Sequence, residues 1–205
     1  MLCLLLCLCA ASEAPLYSSQ FKDIADGEAP KDMAAINGAF VVKTVNGHKV
    51  LEIPGNPVDG YGLLFGPDGQ SSAAVQCRVY GTSTGKRMPE FGAGLGDSGG
   101  YKLWLMPATG QLQLIKGEDV VARLPFASWK SGTWIILKLQ ARPTEGGKTV
   151  LQGKAWPADR TEPAQWMIQF VDSGEAPKGR ASIWANTYSS TPIRFDDLLV
   201  SKPSP

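Results

Sequence analysis

Beyond its first dozen residues the chain never sustains a helical period. Short apolar runs alternate with polar residues, and Gly, Pro, Asn or Asp breaks each run. That pattern confines the chain to short strands, each with one apolar face. The clearest case is the segment 39–45, Asn46-Gly47, 48–53, because Asn-Gly supplies the positive φ angles that a tight type I′ hairpin turn requires. Further strands are expected at 62–65, 73–81, 101–106, 112–116, 120–124, 133–141, 149–156, 165–171, 181–188 and 193–201. Turn-like links such as Pro67-Asp68-Gly69, Ala108-Thr109-Gly110 and Glu145-Gly146-Gly147 join them. About a dozen such strands imply an all-β chain folded as a two-sheet antiparallel jelly-roll sandwich. Since no linker interrupts residues 13–205, they read as a single sandwich domain.

Residues 1–12 differ from the rest. The run Met-Leu-Cys-Leu-Leu-Leu-Cys-Leu-Cys-Ala-Ala-Ser is too short for a membrane span of about 20 helical residues. It places Ala10 and Ser12 at the minus-three and minus-one positions of a signal-peptidase site, although no basic residue precedes the apolar stretch. The expectation is a signal peptide over 1–12, a secreted or periplasmic product, and no membrane span once the signal is removed. Cys3, Cys7 and Cys9 then depart with the signal. Cys77 alone remains, too few for an internal disulfide or a cysteine-based metal site, and its alternation with Val75 and Val79 places it in the core. The net charge of +1, from 20 basic and 19 acidic residues, gives no electrostatic reason to expect nucleic acid as a partner.

Strand alternation also indicates what faces away from the core. Residues 73–80 offer Gln76, Arg78 and Tyr80. Residues 101–106 offer Lys102, Trp104 and Met106, and residues 181–188 offer Ser182, Trp184, Asn186 and Tyr188. Aromatic rings mixed with amides and charges make a surface suited to sugars, whose C–H faces pack on rings while polar groups fix orientation. Arg78, Tyr80, Trp104, Trp184, Asn186 and Tyr188 are therefore the candidate ligand-binding residues. Trp134, within an apolar run, is expected in the core, and Trp129 and Trp166 at strand edges are expected to serve packing.

Four stretches resemble a known family. They are Glu90-Phe91-Gly92-Ala93-Gly94-Leu95 with Gly100-Tyr101-Lys102-Leu103; Gly132-Thr133-Trp134 with Leu137-Lys138-Leu139; Gly153-Lys154-Ala155-Trp156-Pro157 with Glu162-Pro163-Ala164-Gln165-Trp166; and Pro192-Ile193-Arg194-Phe195-Asp196-Asp197-Leu198-Leu199-Val200. They are similar to the laminin-G-like, concanavalin A-like jelly rolls of secreted bacterial proteins, and the likeness spans most of the chain after about Asp23. The resemblance implies a sandwich fold without implying an activity, because that architecture hosts lectins, glycanases and adhesive domains. It also implies a structural Ca2+ between the N-terminal segment and the last strand. The matching positions are Asp23, Asp26 or Glu28 near the start and Asp196 or Asp197 near the end, with Asp23, Asp26 and Asp197 as the metal candidates.

Catalytic chemistry is poorly supplied. His48 is the one histidine and follows the Asn46-Gly47 turn, so a Ser-His-Asp triad or a two-histidine metal centre lacks its parts. Glycoside hydrolysis needs only two carboxylates. Retaining glucanases of this fold resemble one another in a Glu-x-Asp-x-x-Glu strand, which is missing here, and the adjacent pairs Glu118-Asp119 and Asp196-Asp197 would point to opposite sides of a strand. The sequence thus favours a non-catalytic module that binds a glycan or a cell-envelope component. A glycan-processing enzyme of the ketodisaccharide-hydrolase type and a structural partner-binding envelope domain stay open as alternatives.

Overall fold

Asn46 and Gly47 adopt φ angles of 51° and 81°, the left-handed pair that a type I′ turn demands, and the hairpin they close is in the register expected. We describe a computed structural model over residues 14–56 and 60–204. The expected signal segment lies outside the described residues. Among these residues fifteen strands follow in order: β1 (Tyr17–Ser19), β2 (Ala34–Asn37), β3 (Val41–Val45), β4 (His48–Ile53), β5 (Tyr61–Gln70), β6 (Ala73–Gly81), β7 (Glu90–Leu95), β8 (Tyr101–Met106), β9 (Gln111–Lys116), β10 (Asp119–Pro125), β11 (Thr133–Pro143), β12 (Thr149–Pro157), β13 (Ile168–Asp172), β14 (Gly179–Asn186) and β15 (Ile193–Ser201). No helix among the described residues is long and apolar enough to cross a membrane.

The strands form two antiparallel sheets. The first runs β13-β12-β11-β6-β15-β4-β3, with β1 also pairing β15, and the second runs β10-β9-β8-β7-β14-β5-β2. Alternate residues of each sheet point inward. Val75, Cys77 and Val79 of β6 and Ile135, Leu137 and Leu139 of β11 meet Phe91 and Ala93 of β7 and Leu103 and Leu105 of β8, all fully buried. Each large aliphatic or aromatic side chain removed from water in this way contributes roughly 1.5–3 kcal/mol. The Cys77 thiol is among them, and burial pushes its pKa up to about 12, which fits an inert packing role. The sheets approach so closely at Gly153 that a Cβ there would lie 2.6 Å from Leu103.

Three expectations require correction. Pro67-Asp68-Gly69 bends the chain but does not link two strands: β5 continues to Gln70, and residues 66–69 loop out of the ladder with β14 between the Phe65 and Gln70 pairings. Gly66 and Gly69 take φ values of 73° and 72° to permit this detour. Second, β7 is a strand where the sequence pattern predicts none, because Gly92 and Gly94 read as turn residues, yet it lies between β8 and β14 in the second sheet. Third, Trp134 is not in the core. Its neighbours Ile135 and Leu137 take the inward positions, which leaves the indole half-buried on the outer face of β11.

A polar link joins the two sheets. The inward-facing Tyr101 of β8 donates its hydroxyl to Asp172 of β13 at 2.6 Å, and Lys116 of β9 pairs with the same carboxylate at 2.7 Å. The Gly174 amide donates to its second oxygen. Burial pushes the Asp172 carboxyl up, but hydrogen bonds from Lys116, Tyr101 and Gly174 together outweigh it and hold the pKa below the usual range. With the folded value below the unfolded value of about 3.9, the stabilisation is complete above that value and is lost as pH falls through the folded one. Asp172→Ala should cost about 2 kcal/mol at neutral pH by stranding a buried hydroxyl. Urea unfolding measured against pH should also show a flatter acid limb in the variant than in the parent.

Candidate functional site

The outer face of the second sheet is built on a row of glycines. Following the register across the strands, Gln113, Trp104, Gly92, Trp184 and Gly62 lie side by side. Two indoles occupy the space that side chains at the glycines would fill. A Cβ on Gly92 would sit 2.6 Å from Trp104 Cε3, and one on Gly62 would sit 2.6 Å from Trp184 Cζ3. The two rings differ in access. Trp184 is 8 % exposed, its Nε1 donates to Ser182 Oγ at 2.8 Å, and the Lys102 ammonium covers its face at 4.3 Å from the ring centroid. Burial draws the Lys102 pKa down, opposed by the charge of Glu118. Trp184 is therefore floor, and Trp104 is the partly exposed ring.

Beside Trp104 lies a polar cluster centred on Glu90, whose Oε2 accepts from Trp104 Nε1 at 3.2 Å and from Asn186 Nδ2 at 3.1 Å. The same amide nitrogen donates to the Tyr188 hydroxyl at 3.2 Å, and Asn186 Oδ1 accepts from the Gly60 amide at 2.7 Å. Asn186 is thus oriented by backbone and carboxylate together, and the Tyr188 ring beyond it is exposed. Sequence reasoning misses Glu90. It opens the glycine-rich strand β7, and only the recognition of that stretch as a strand places Glu90 opposite Asn186.

The six candidate ligand residues do not share one surface. Trp104, Trp184, Asn186 and Tyr188 are gathered on or beside the second sheet's outer face, whereas Arg78 and Tyr80 belong to β6 of the first sheet and point out of the opposite side. Alternation identifies which residues leave the core but not which sheet a strand joins. Around Arg78 the first sheet displays its own aromatic cluster. The guanidinium lies 4.8 Å from the Trp134 ring centroid, Tyr80 packs at 5.5 Å from Trp134, and Arg194 covers Tyr80 at 5.5 Å. Trp166 packs against the Lys154 ammonium, and Trp129 packs on Phe91.

The residues proposed to hold Ca2+ do not fit that ion. Asp26 is occupied by the Lys49 ammonium and by the amide and hydroxyl of Thr44, contacts that hold its pKa down to about 2. Asp197 accepts from Arg78 Nη1 at 3.0 Å and from Gln20 Nε2 at 2.7 Å. Both carboxylates are already neutralised by cationic or amide donors, and a divalent ion beside Arg78 would be repelled. Asp23 lines the groove that Asp197 also lines. Among the described residues no group of three or more His, Cys, Asp or Glu side chains is placed to hold a metal. The acids at 196 and 197 also depart from expectation. A bulge in β15, with Asp197 at φ 48°, brings both within 4 Å of Arg78 instead of sending them to opposite faces.

No family model matches the chain, and no curated protein matches it in sequence. Solved structures do match it in shape. The carbohydrate recognition domain of Emp46p, in a point-mutant form, superposes with a TM-score of 0.62 at 13 % identity, covering 94 % of this chain and 99 % of that one. The carbohydrate-binding module CBM66 from Bacillus subtilis gives 0.57 at 12 % identity, covering 83 % and 96 %. The PL-14 alginate lyase from Aplysia kurodai gives 0.58 at 11 % identity, covering 93 % and 100 %. The fold is that of these jelly-roll sandwiches. Because it carries both binding modules and a lyase, the fold leaves the choice of activity to the site.

The glycine row can be tested directly. Gly92→Ala would drive a Cβ against both Trp104 Cε3 and the Leu103 carbonyl oxygen, the latter at 2.9 Å. It should destabilise the protein by about 1–3 kcal/mol. Intrinsic tryptophan emission, read alongside the thermal melt, should shift as Trp104 is lifted from the sheet.

Proposed function

We propose that this chain is an exported carbohydrate-binding β-sandwich domain that takes its glycan on the outer face of the second sheet. The observation that carries the reading is the Glu90 carboxylate, which fixes the edge of the partly exposed Trp104 ring and the Asn186 amide side by side. An indole seated over a glycine and held at its nitrogen by a carboxylate offers an apolar platform for the C–H face of a pyranose. Adjacent carboxylate, amide and phenol groups supply the directional hydrogen bonds by which such sites recognise hydroxyls. Trp184 and Lys102 act beneath and beside this platform, Trp184 as support and Lys102 as a further donor. The fold shared with a carbohydrate-binding module and a carbohydrate recognition domain supports the same partner class. The apolar residues 1–12, ending in small residues, support a secreted or periplasmic location, where a glycan or another envelope component would be met.

The proposal separates two tryptophans that sequence treats alike. A glycan array with the purified protein identifies a ligand, and calorimetric titration then compares variants. Trp104→Ala should weaken binding by at least about tenfold, equivalent to about 1.4 kcal/mol, in a protein that stays folded by circular dichroism and loses less melting temperature than Trp184→Ala. Trp184→Ala should lower the melting temperature first, because its ring is buried. Retention of full affinity by a folded Trp104→Ala protein would rule out this face.

A further inference from the structure

The first sheet's outer face holds a groove that the proposed glycan face leaves unused. It encloses ≈ 440 Å³ and is walled by Arg78 and Trp134 on one side and by the turn carrying Asp159 and Arg160 on the other, with Ser128, Lys130 and Thr133 at one end. Both rims are fixed by backbone. The Thr133 amide and hydroxyl donate to the Lys130 carbonyl at 3.2 and 2.9 Å, the Ala158 amide donates to the Trp134 carbonyl at 3.0 Å, and the Arg160 amide donates to the Pro157 carbonyl at 3.0 Å.

Three cations face this groove against one acid, Asp159. Among the described residues, Lys130 and Arg160 take part in no ion pair, whereas most other outward-facing cations of this sheet do: Lys43 and Arg194 pair with Glu52, and Lys138 and Lys154 with Glu162. Arg78 already faces two acids of a neighbouring groove, its Nη1 lying 3.0 Å from Asp197 and 3.8 Å from Asp196, but its Nε is buried without a hydrogen-bond partner among the described residues. The buried guanidinium N–H lacks a partner, and the two exposed cations beside it add positive potential to the groove, so an anion entering there would find charge-assisted donors.

We propose that this groove is a second, anion-selective saccharide site that binds an acidic polysaccharide through a sugar carboxylate or sulfate. A volume near 440 Å³ falls within the range of small-ligand pockets and far exceeds a lone oxyanion. Trp134 contributes an apolar wall, and the hydroxyls of Ser128 and Thr133 are placed to meet sugar hydroxyls. Nucleic acid is disfavoured by the overall charge of +1, which provides no extended basic track. The site does not depend on the glycan face of the second sheet, since the two point away from each other.

The test titrates the purified protein with an oligogalacturonate, a heparin fragment and a neutral galactose oligomer at low and moderate salt. One or both acidic probes should bind, more weakly as salt rises, and the neutral probe should not compete. The double variant K130Q/R160Q alters exposed turn residues and should fold normally by circular dichroism, yet lose at least about tenfold in affinity for the acidic probe. Trp104→Ala should leave that affinity intact, which separates this site from the glycan face. Failure of both acidic probes to bind, equal binding by K130Q/R160Q, or equal competition from the neutral oligomer would overturn the proposal. Full displacement by inorganic sulfate at matched concentration would reduce the groove to a simple anion site and overturn the saccharide assignment.

Discussion

A pleated strand presents successive side chains to opposite sides, so every residue committed to the core commits its neighbours to the surface. The two sheets of the described residues follow from that constraint applied in fifteen strands. Once Val75, Cys77 and Val79 enter the interior, Gln76, Arg78 and Tyr80 have no choice but to leave it. A slip of one residue in β6 would exchange these two sets and bury a guanidinium, so apolar burial determines the register as well as the stability. The polar tie across the interior, from Tyr101 to Asp172, survives because the carboxylate is answered by a hydroxyl, an ammonium and an amide at once.

The second sheet adds a less common device. Strand β7 gives the core Phe91, Ala93 and Leu95, but gives the outer surface Gly92 and Gly94. A glycine in a strand forgoes side-chain packing and costs entropy, which ordinarily argues against its use. Here the vacancy is filled from both neighbours, by Trp104 of β8 over Gly92 and by Trp184 of β14, whose Nε1 lies close to Gly94 and whose ring lies over Gly62. Bulky rings approach the sheet this closely only where the strand beside them is bare. The strand's weakness and the surface's shape therefore have the same cause.

Much of the fold is legible in the chain. The Asn46-Gly47 hairpin, the full extents of β6, β8 and β15, and the burial of Cys77 follow from alternation and turn chemistry alone. Legibility fails where a residue's local preference is overridden from a distance. Gly92 and Gly94 prefer turns, and only indoles supplied by two other strands make an extended conformation worthwhile, so β7 and Glu90 at its start stay hidden. Pro67-Asp68-Gly69 reads as a link between strands and does bend the chain, but pairing with β14 resumes at Gln70 and makes it a detour. Trp134 reads as core because an apolar run does not announce which of its members faces inward. Arg78 and Trp104 fall into one group because a period of two shows a side chain's face without showing its sheet.

β15 lies at the centre of the first sheet, between β6 and β4, and it also receives β1 along Leu198–Val200. Residues near 17 must therefore wait for residues near 200. During synthesis, β4 and β6 emerge with open edges toward one another well before β15, the strand that zips them together. The first sheet stays threadable until β15 has been made, and then closes in one long-range event.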